Sequence, residues 1–204
     1  MNNRYGLAGD QSVGAVILAG GLARRMGGQD KGLIKVAGKP MVQYAVDIQQ
    51  PLVDALVINA NRNIADYEQF GVPVIQDTLA DHQGPLAGLS AALDALQCDY
   101  MVMCPCDSPF MQSGLTVSLI ESCVSSDSDI AVAHDGERLQ PVFCVVHRRV
   151  QQSLNDFLAS GERKIDRWFS HHNMNKVDAA TFADSFVNIN TEDERLNAEQ
   201  VVLK

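Results

Sequence analysis

The sequence predicts an α/β domain with helices on both faces of a mostly parallel central sheet. Short, continuous apolar runs alternate with helix-like segments through the first half of the chain, the pattern of buried parallel strands joined by crossover helices. Each run is strand-sized and ends in glycine, proline or a polar residue. The chain has 204 residues, 46% hydrophobic and 20% charged, which is the size and composition of one globular domain and excludes wholesale disorder. Strand–helix alternation builds right-handed βαβ units, and such sheets bind ligands beyond the carboxyl ends of their strands.

Residues 1–12 are polar, with Asp10 and no apolar run of the kind a secretory signal needs, and read as a short disordered leader. Residues 13–204 read as a single domain. The run 13–19 (VGAVILA), stopped by Gly20-Gly21, is the first strand. Residues 33–36 are a short extended piece, and Pro40 suits the first turn of a helix to about residue 50. A strand over 56–60, a helix over 64–70 closed by Gly71 and a strand over 72–76 come next, with Pro73 placing that third strand near an edge. Apolar residues at 86, 89, 93 and 96, behind Pro85, give a helix, and 100–104 a fourth strand. Ser113 can cap the next helix. Residues 130–133, the turn Asp135-Gly136 and residues 139–146 read as a hairpin or adjacent strands. Helices near 150–159 and 165–169 and a last short strand over 186–189 follow. Thr191 then caps a final helix, with Glu194 at the capping-box offset.

Charge and cysteine usage narrow the function. The net charge of −9 argues against broad nucleic-acid binding, and no apolar run is long enough for a membrane helix. The charge is uneven: residues 1–40 carry six bases and two acids. A basic island in an acidic chain fits a local anionic ligand. Five cysteines with no CxxC pair fit reduced thiols and a cytoplasmic location, not a disulfide framework or structural zinc. There is no P-loop, GxGxxG, HExxH or GxSxG.

The strand ends carry the chemistry. After the first come Gly20, Gly21, Arg24, Arg25 and Lys31; after the second Asn59, Asn61 and Arg62; after the third Asp77; after the fourth Asp107. Glycines let backbone N–H groups approach a polyphosphate, and cations offset its charge. Taken singly, Asp77 could simply begin a loop and either asparagine could cap a helix. Asp107 could be a turn residue in Asp-Ser-Pro, but a lone acid at a central strand end also suits Mg2+, which takes one or two carboxylates plus substrate phosphates. Gly84 and Gly88 flank a helix start that could face a nucleotide, and Gly88 inside the helical pattern implies close approach to something. Cys104 and Cys106 read as packing residues, because Mg2+ avoids thiolates. Trp168 and Phe169 read as core or interface rather than a stacking platform, and His171-His172 as a surface helix cap.

LAGGxxxRMGGxDKG after an N-terminal strand, with GPLAG, CPCDSP and FVNINT further on, resembles the molybdenum cofactor guanylyltransferases, and the resemblance spans almost the whole chain. It implies a three-layer, Rossmann-like nucleotidyltransferase fold, in which residues 13–110 bind the nucleotide and 111–204 the acceptor. It implies that Leu18, Ala19, Gly20 and Gly21 line a GTP site, that Lys31 meets the GTP phosphates, and that Asn59 and Asp77, with Gly84 and Gly88, complete the pocket. Asp107 would bind nucleotide and Mg2+; Asn188 and Asn190 would touch the pterin side. Arg25, Lys31 and Asp107 are the implied catalytic set. The implied acceptor is Mo-molybdopterin. The acidic second half suits solubility or a protein partner, one that delivers the cofactor or a molybdoenzyme that accepts it. Relatives often have arginine where this chain has Lys164, which keeps the charge but loses the planar fork. Glycine at position 20, where related cytidylyltransferases tend to have alanine, leaves room for a purine. A sugar-phosphate or molybdopterin cytidylyl-type transferase, or a GTP-binding adaptor without catalysis, are the alternative readings.

Overall fold

A run of small and β-branched residues with no charge can be buried on both faces, and β1 (Val13–Leu18) is buried along nearly its whole length at the centre of the sheet. The computed structural model describes residues 4–19, 22–23, 29–78 and 84–202. Two ribbons follow β1: β2 (Leu22–Ala23) with β3 (Gln29–Asp30), and β4 (Lys35–Val36) with β5 (Lys39–Pro40). The chain continues through α1 (Met41–Gln49), β6 (Ala55–Asn59), α2 (Ile64–Glu68), β7 (Val74–Ile75), α3 (Pro85–Ala95), β8 (Tyr100–Pro105) and α4 (Ser113–Ser125). Then come β9 (Ile130–His134), β10 (Leu139–His147), α5 (Gln151–Ala159), α6 (Ile165–Phe169), β11 (Met174–Asp178) and α7 (Glu192–Val202).

Among the described residues, seven strands form the central sheet in the order β11-β9-β10-β8-β1-β6-β7. Only β10 runs against the rest. From β1 the chain winds outward through β6 to β7, then returns to lay β8 on the other side of β1. That reversal makes the carboxyl ends of β1 and β8 a topological switch point, where open α/β sheets form ligand crevices.

The two-residue period of the strands sorts side chains into two cores. Ala15 and Ile17 of β1, Val102 and Cys104 of β8, Ala131 of β9 and Val145 of β10 face one core with α1 and α4. Their neighbours Val16, Met101, Met103, Val132 and Cys144 face the other, with α3, α5 and α6. Trp168 and Phe169 are fully buried there, as the sequence predicts. All five cysteines are buried and unpaired. No helix among the described residues is long and apolar enough to cross a membrane.

Several expectations are corrected. Residues 4–12, read as a disordered leader, lie against the fold: Arg4–Gly6 form a 3-10 turn, and the Tyr5 hydroxyl donates to the Leu52 carbonyl at 2.8 Å. Residues 186–189 are not a strand. Phe186 ends a 3-10 segment (Ala180–Phe186), residues 187–189 are irregular, and the Ile189 N–H donates to the Asp107 carbonyl at 3.0 Å. The edge position beside β9 belongs instead to β11. Ser113 is the first helical residue of α4, and Gln112 precedes it as the cap. The capping box at Thr191 does form: the Glu194 carboxylate accepts the N–H groups of Asn190 and Thr191, and the Thr191 hydroxyl accepts the Glu194 N–H.

Candidate active site

The cleft at the β1/β8 switch point has a volume of about 360 Å³. Leu18 at the end of β1, Asn59 at the end of β6, Asp77 beyond β7, and Pro105, Cys106 and Asp107 at the end of β8 line it, with Lys31, Asn61, Gly84 and Asn188. The parallel register brings these ends level: Leu18 pairs with both Asn59 and Pro105. Leu18, Asn59, Asp77 and Asp107 thus reach one rim because β1, β6, β7 and β8 share a direction.

At the rim, the Lys31 ammonium donates to Asp107 Oδ2 at 2.9 Å and also to Asn190 Oδ1. Both members of the ion pair are largely buried, with 17% and 14% of their side chains exposed. The capping box of α7 fixes the backbone of Asn190, which is how a residue 159 positions away meets Lys31. The neighbouring Asn188 accepts from the Ser108 hydroxyl at 2.6 Å, tying the 188–190 segment to the β8 end.

The far wall is a second polar cluster. Asp77 accepts from Asn59 Nδ2 at 3.0 Å and from Asn61 Nδ2 at 2.8 Å, and its own N–H donates to Asn61 Oδ1 at 2.8 Å. With two bonds accepted, the carboxylate keeps lone pairs for a ligand. Asn61 was legible only as one more amide after a strand; its bond to Asp77 makes it part of the wall.

The structure therefore brings Leu18, Lys31, Asn59, Asp77, Gly84, Asp107 and Asn188 to one cleft, with Asn190 on Lys31. Two expected site residues stand behind it. Ala19 is fully buried, its N–H donating to the Asn59 carbonyl at 2.8 Å. Gly88 is buried in α3 and does not line the cleft. A Cβ there would meet Asn59 Oδ1 at 2.5 Å and Leu18 Cδ2 at 2.6 Å, so its close approach is to two lining side chains rather than to a ligand. Gly20, Gly21 and Arg25 lie outside the described residues.

The donor chemistry fits a hard divalent cation held partly by its substrate. No group of three or more His, Cys, Asp or Glu is placed to hold a metal among the described residues. Asp107 offers one carboxylate on the cleft, with amide side chains nearby, and Mg2+ commonly takes one or two carboxylates and fills the rest with phosphate oxygens and water. Thiolate ligation is disfavoured: burial raises the Cys106 thiol well above its ordinary value and pushes Cys104 up to about 12. The two cysteines are packing residues, as the sequence predicts.

The Lys31 ammonium and the Asp107 carboxylate thus face each other at the switch point of the sheet. The protein is a nucleotidyltransferase by the likeness of its sequence to such enzymes over most of its length. The chain belongs to the MobA-like NTP transferase domain family, which matches residues 15–177. It is 40% identical over 192 residues to the molybdenum cofactor guanylyltransferase of Shewanella sediminis, covering 94% of this chain and 98% of that one. It is 45% identical over 186 residues to the protein of the same name from Shewanella frigidimarina, covering 90% and 93%. In fold it is similar to molybdopterin-guanine dinucleotide biosynthesis protein A from Archaeoglobus fulgidus, with a TM-score of 0.77 at 22% identity over 93% of this chain and 98% of the other.

Proposed function

We propose that the protein transfers GMP from GTP to the terminal phosphate of Mo-molybdopterin, releasing pyrophosphate and forming the guanine dinucleotide form of the cofactor. An acceptor phosphate oxygen forms the new bond to the α-phosphorus as the bond from that phosphorus to the β-phosphate oxygen breaks. The attacking oxygen is already an anion, so the protein supplies alignment and charge neutralisation. The observation that carries the reading is the Lys31–Asp107 pair at the switch point, inside a chain whose relatives bear the guanylyltransferase name.

In this reading Asn59, Asn61 and Asp77 hold the nucleoside, the spare lone pairs of Asp77 accepting from the N–H edge of guanine. Lys31 takes the charge that builds on the pyrophosphate, with Arg25 beside it in sequence as a second cation. Asn188 and Asn190 meet the acceptor. Asp107 would hold Mg2+, whose charge polarises the phosphates when bound. Glycine rather than alanine at position 20 is the sequence feature behind the choice of GTP over CTP. The five buried free cysteines suit a reducing cytoplasm.

The test is an incubation of the protein with Mg2+ and molybdopterin, offered GTP or CTP, scored by mass. The guanine dinucleotide should form and the cytosine one should not. Equal yields would remove the base assignment, and no dinucleotide with either would remove the reaction.

Gly88→Ala probes the wall from behind. Its Cβ would push on Asn59 Oδ1, disturbing the Asn59–Asp77 bond. Overpacking of this kind costs ~1–3 kcal/mol. GTP affinity measured by calorimetry should fall about tenfold, since ~1.4 kcal/mol is one decade. The melting temperature should drop by only a few degrees.

A further inference from the structure

A buried carboxylate outside the cleft stands immediately before Lys31. The Asp30 side chain is 1% exposed, yet it sits in a basic stretch with no role in the chemistry above. Three side chains from a single short segment converge on it. The Tyr67 hydroxyl donates to Asp30 Oδ1; Arg62 Nε and Asn63 Nδ2 each donate to Oδ2 at 3.2 Å. Tyr67 is itself fully buried, and its hydroxyl also reaches the Ala19 carbonyl at 3.2 Å. Gly32 lies against the same phenol: a Cβ there would sit 2.4 Å from the hydroxyl oxygen. One side chain thus touches the residue just after β1 and the residues on both sides of Lys31.

Burying an ion is expensive, and a buried pair is weak evidence for stability alone. The same segment, residues 59–67, also supplies Asn59 and Asn61 to the far wall of the cleft. It therefore ties the polar wall to the backbone that carries the lysine.

We propose that Asp30 and Tyr67 are positioning residues for Lys31: the buried carboxylate–phenol clasp fixes the Asp30–Gly32 backbone against the end of β1 and so sets where the ammonium meets phosphate. Burial raises the Tyr67 pKa, which keeps the phenol protonated as a donor. The clasp rests on the proposal that Lys31 binds the nucleotide's phosphates, and the test separates the two.

Calorimetry with GTP and with guanosine, in the presence of Mg2+ and no acceptor, isolates the contribution of the phosphates. For the wild type GTP should bind far more tightly than guanosine. In Tyr67→Phe that preference should fall about tenfold or more, about one decade of binding constant, while guanosine affinity stays within about twofold. Asp30→Asn, which keeps shape and loses charge, should act in the same direction and serves if the phenylalanine variant folds poorly. A purely structural role would instead weaken both ligands in parallel. Parallel weakening, or an unchanged preference in a folded variant, overturns the clasp while leaving the phosphate site standing. A wild type that prefers guanosine equally would remove the phosphate role of Lys31, and the clasp with it.

Discussion

Asp107→Ala is expected to abolish turnover while leaving the fold intact. Asp107 is the carboxylate proposed to carry the metal, and metal-ion stabilisation of a phosphoryl-type transition state is worth several kcal/mol. At ~1.4 kcal/mol per decade, kcat should drop by about a thousandfold or more. The fold should survive for local reasons. Lys31 keeps Asn190 Oδ1 as an acceptor, so its ammonium is not stranded, and the contact between the 107 carbonyl and the Ile189 N–H is a backbone bond. The measurements are pyrophosphate release under saturating substrates and a urea unfolding curve. A folded variant that releases pyrophosphate at the wild-type rate would contradict the role.

Lys31→Met carries the second large effect. Methionine keeps the unbranched stem and removes the charge. Removing one preorganised donor to developing negative charge costs about 10²–10³ in kcat. The variant should leave Mn2+ affinity undiminished, because Asp107 loses its competing cation, whereas Asp107→Ala should weaken it. Paramagnetic titration of the two variants reads that difference. Lys31→Arg should recover only part of the activity, since a planar fork does not place its charge where a point ammonium sits. Full activity in Lys31→Met would overturn the lysine's part in the reaction.

What the sequence made legible follows from range. β1 and β8 are continuous apolar runs with cleft residues at or just after their ends, so strand, strand end and proposed chemistry are read within a few positions. The capping box at Thr191 is equally local. Gly88 shows the limit: the cost of glycine in a helix announces a close approach, but its partners, Asn59 and Leu18, are known only once α3 lies on the sheet. Asp30 was one acid among many bases. Its meaning comes from Tyr67, 37 residues on, and no local pattern links the two.

The misread elements have similar causes. Phe186, Val187 and Ile189 look like a strand, but this stretch makes a backbone bond to the Asp107 loop rather than pairing along a sheet edge. β11, with the sequence MNKVD, lies at the sheet edge with partly exposed polar residues, and so lacks the apolar signature of its neighbours. Residues 4–12 dock through bonds from Arg4 and Tyr5 to carbonyls at 51 and 52, contacts between two irregular segments.

A crystal structure of the protein soaked with Mg2+ and a non-hydrolysable GTP analogue tests the central claim most directly. The account expects the triphosphate in the β1/β8 cleft, the Lys31 ammonium released from Asp107 onto its phosphate oxygens, and the metal on Asp107. A nucleotide bound elsewhere on the molecule, or bound in this cleft with the Lys31–Asp107 pair intact and no metal on the carboxylate, would contradict it.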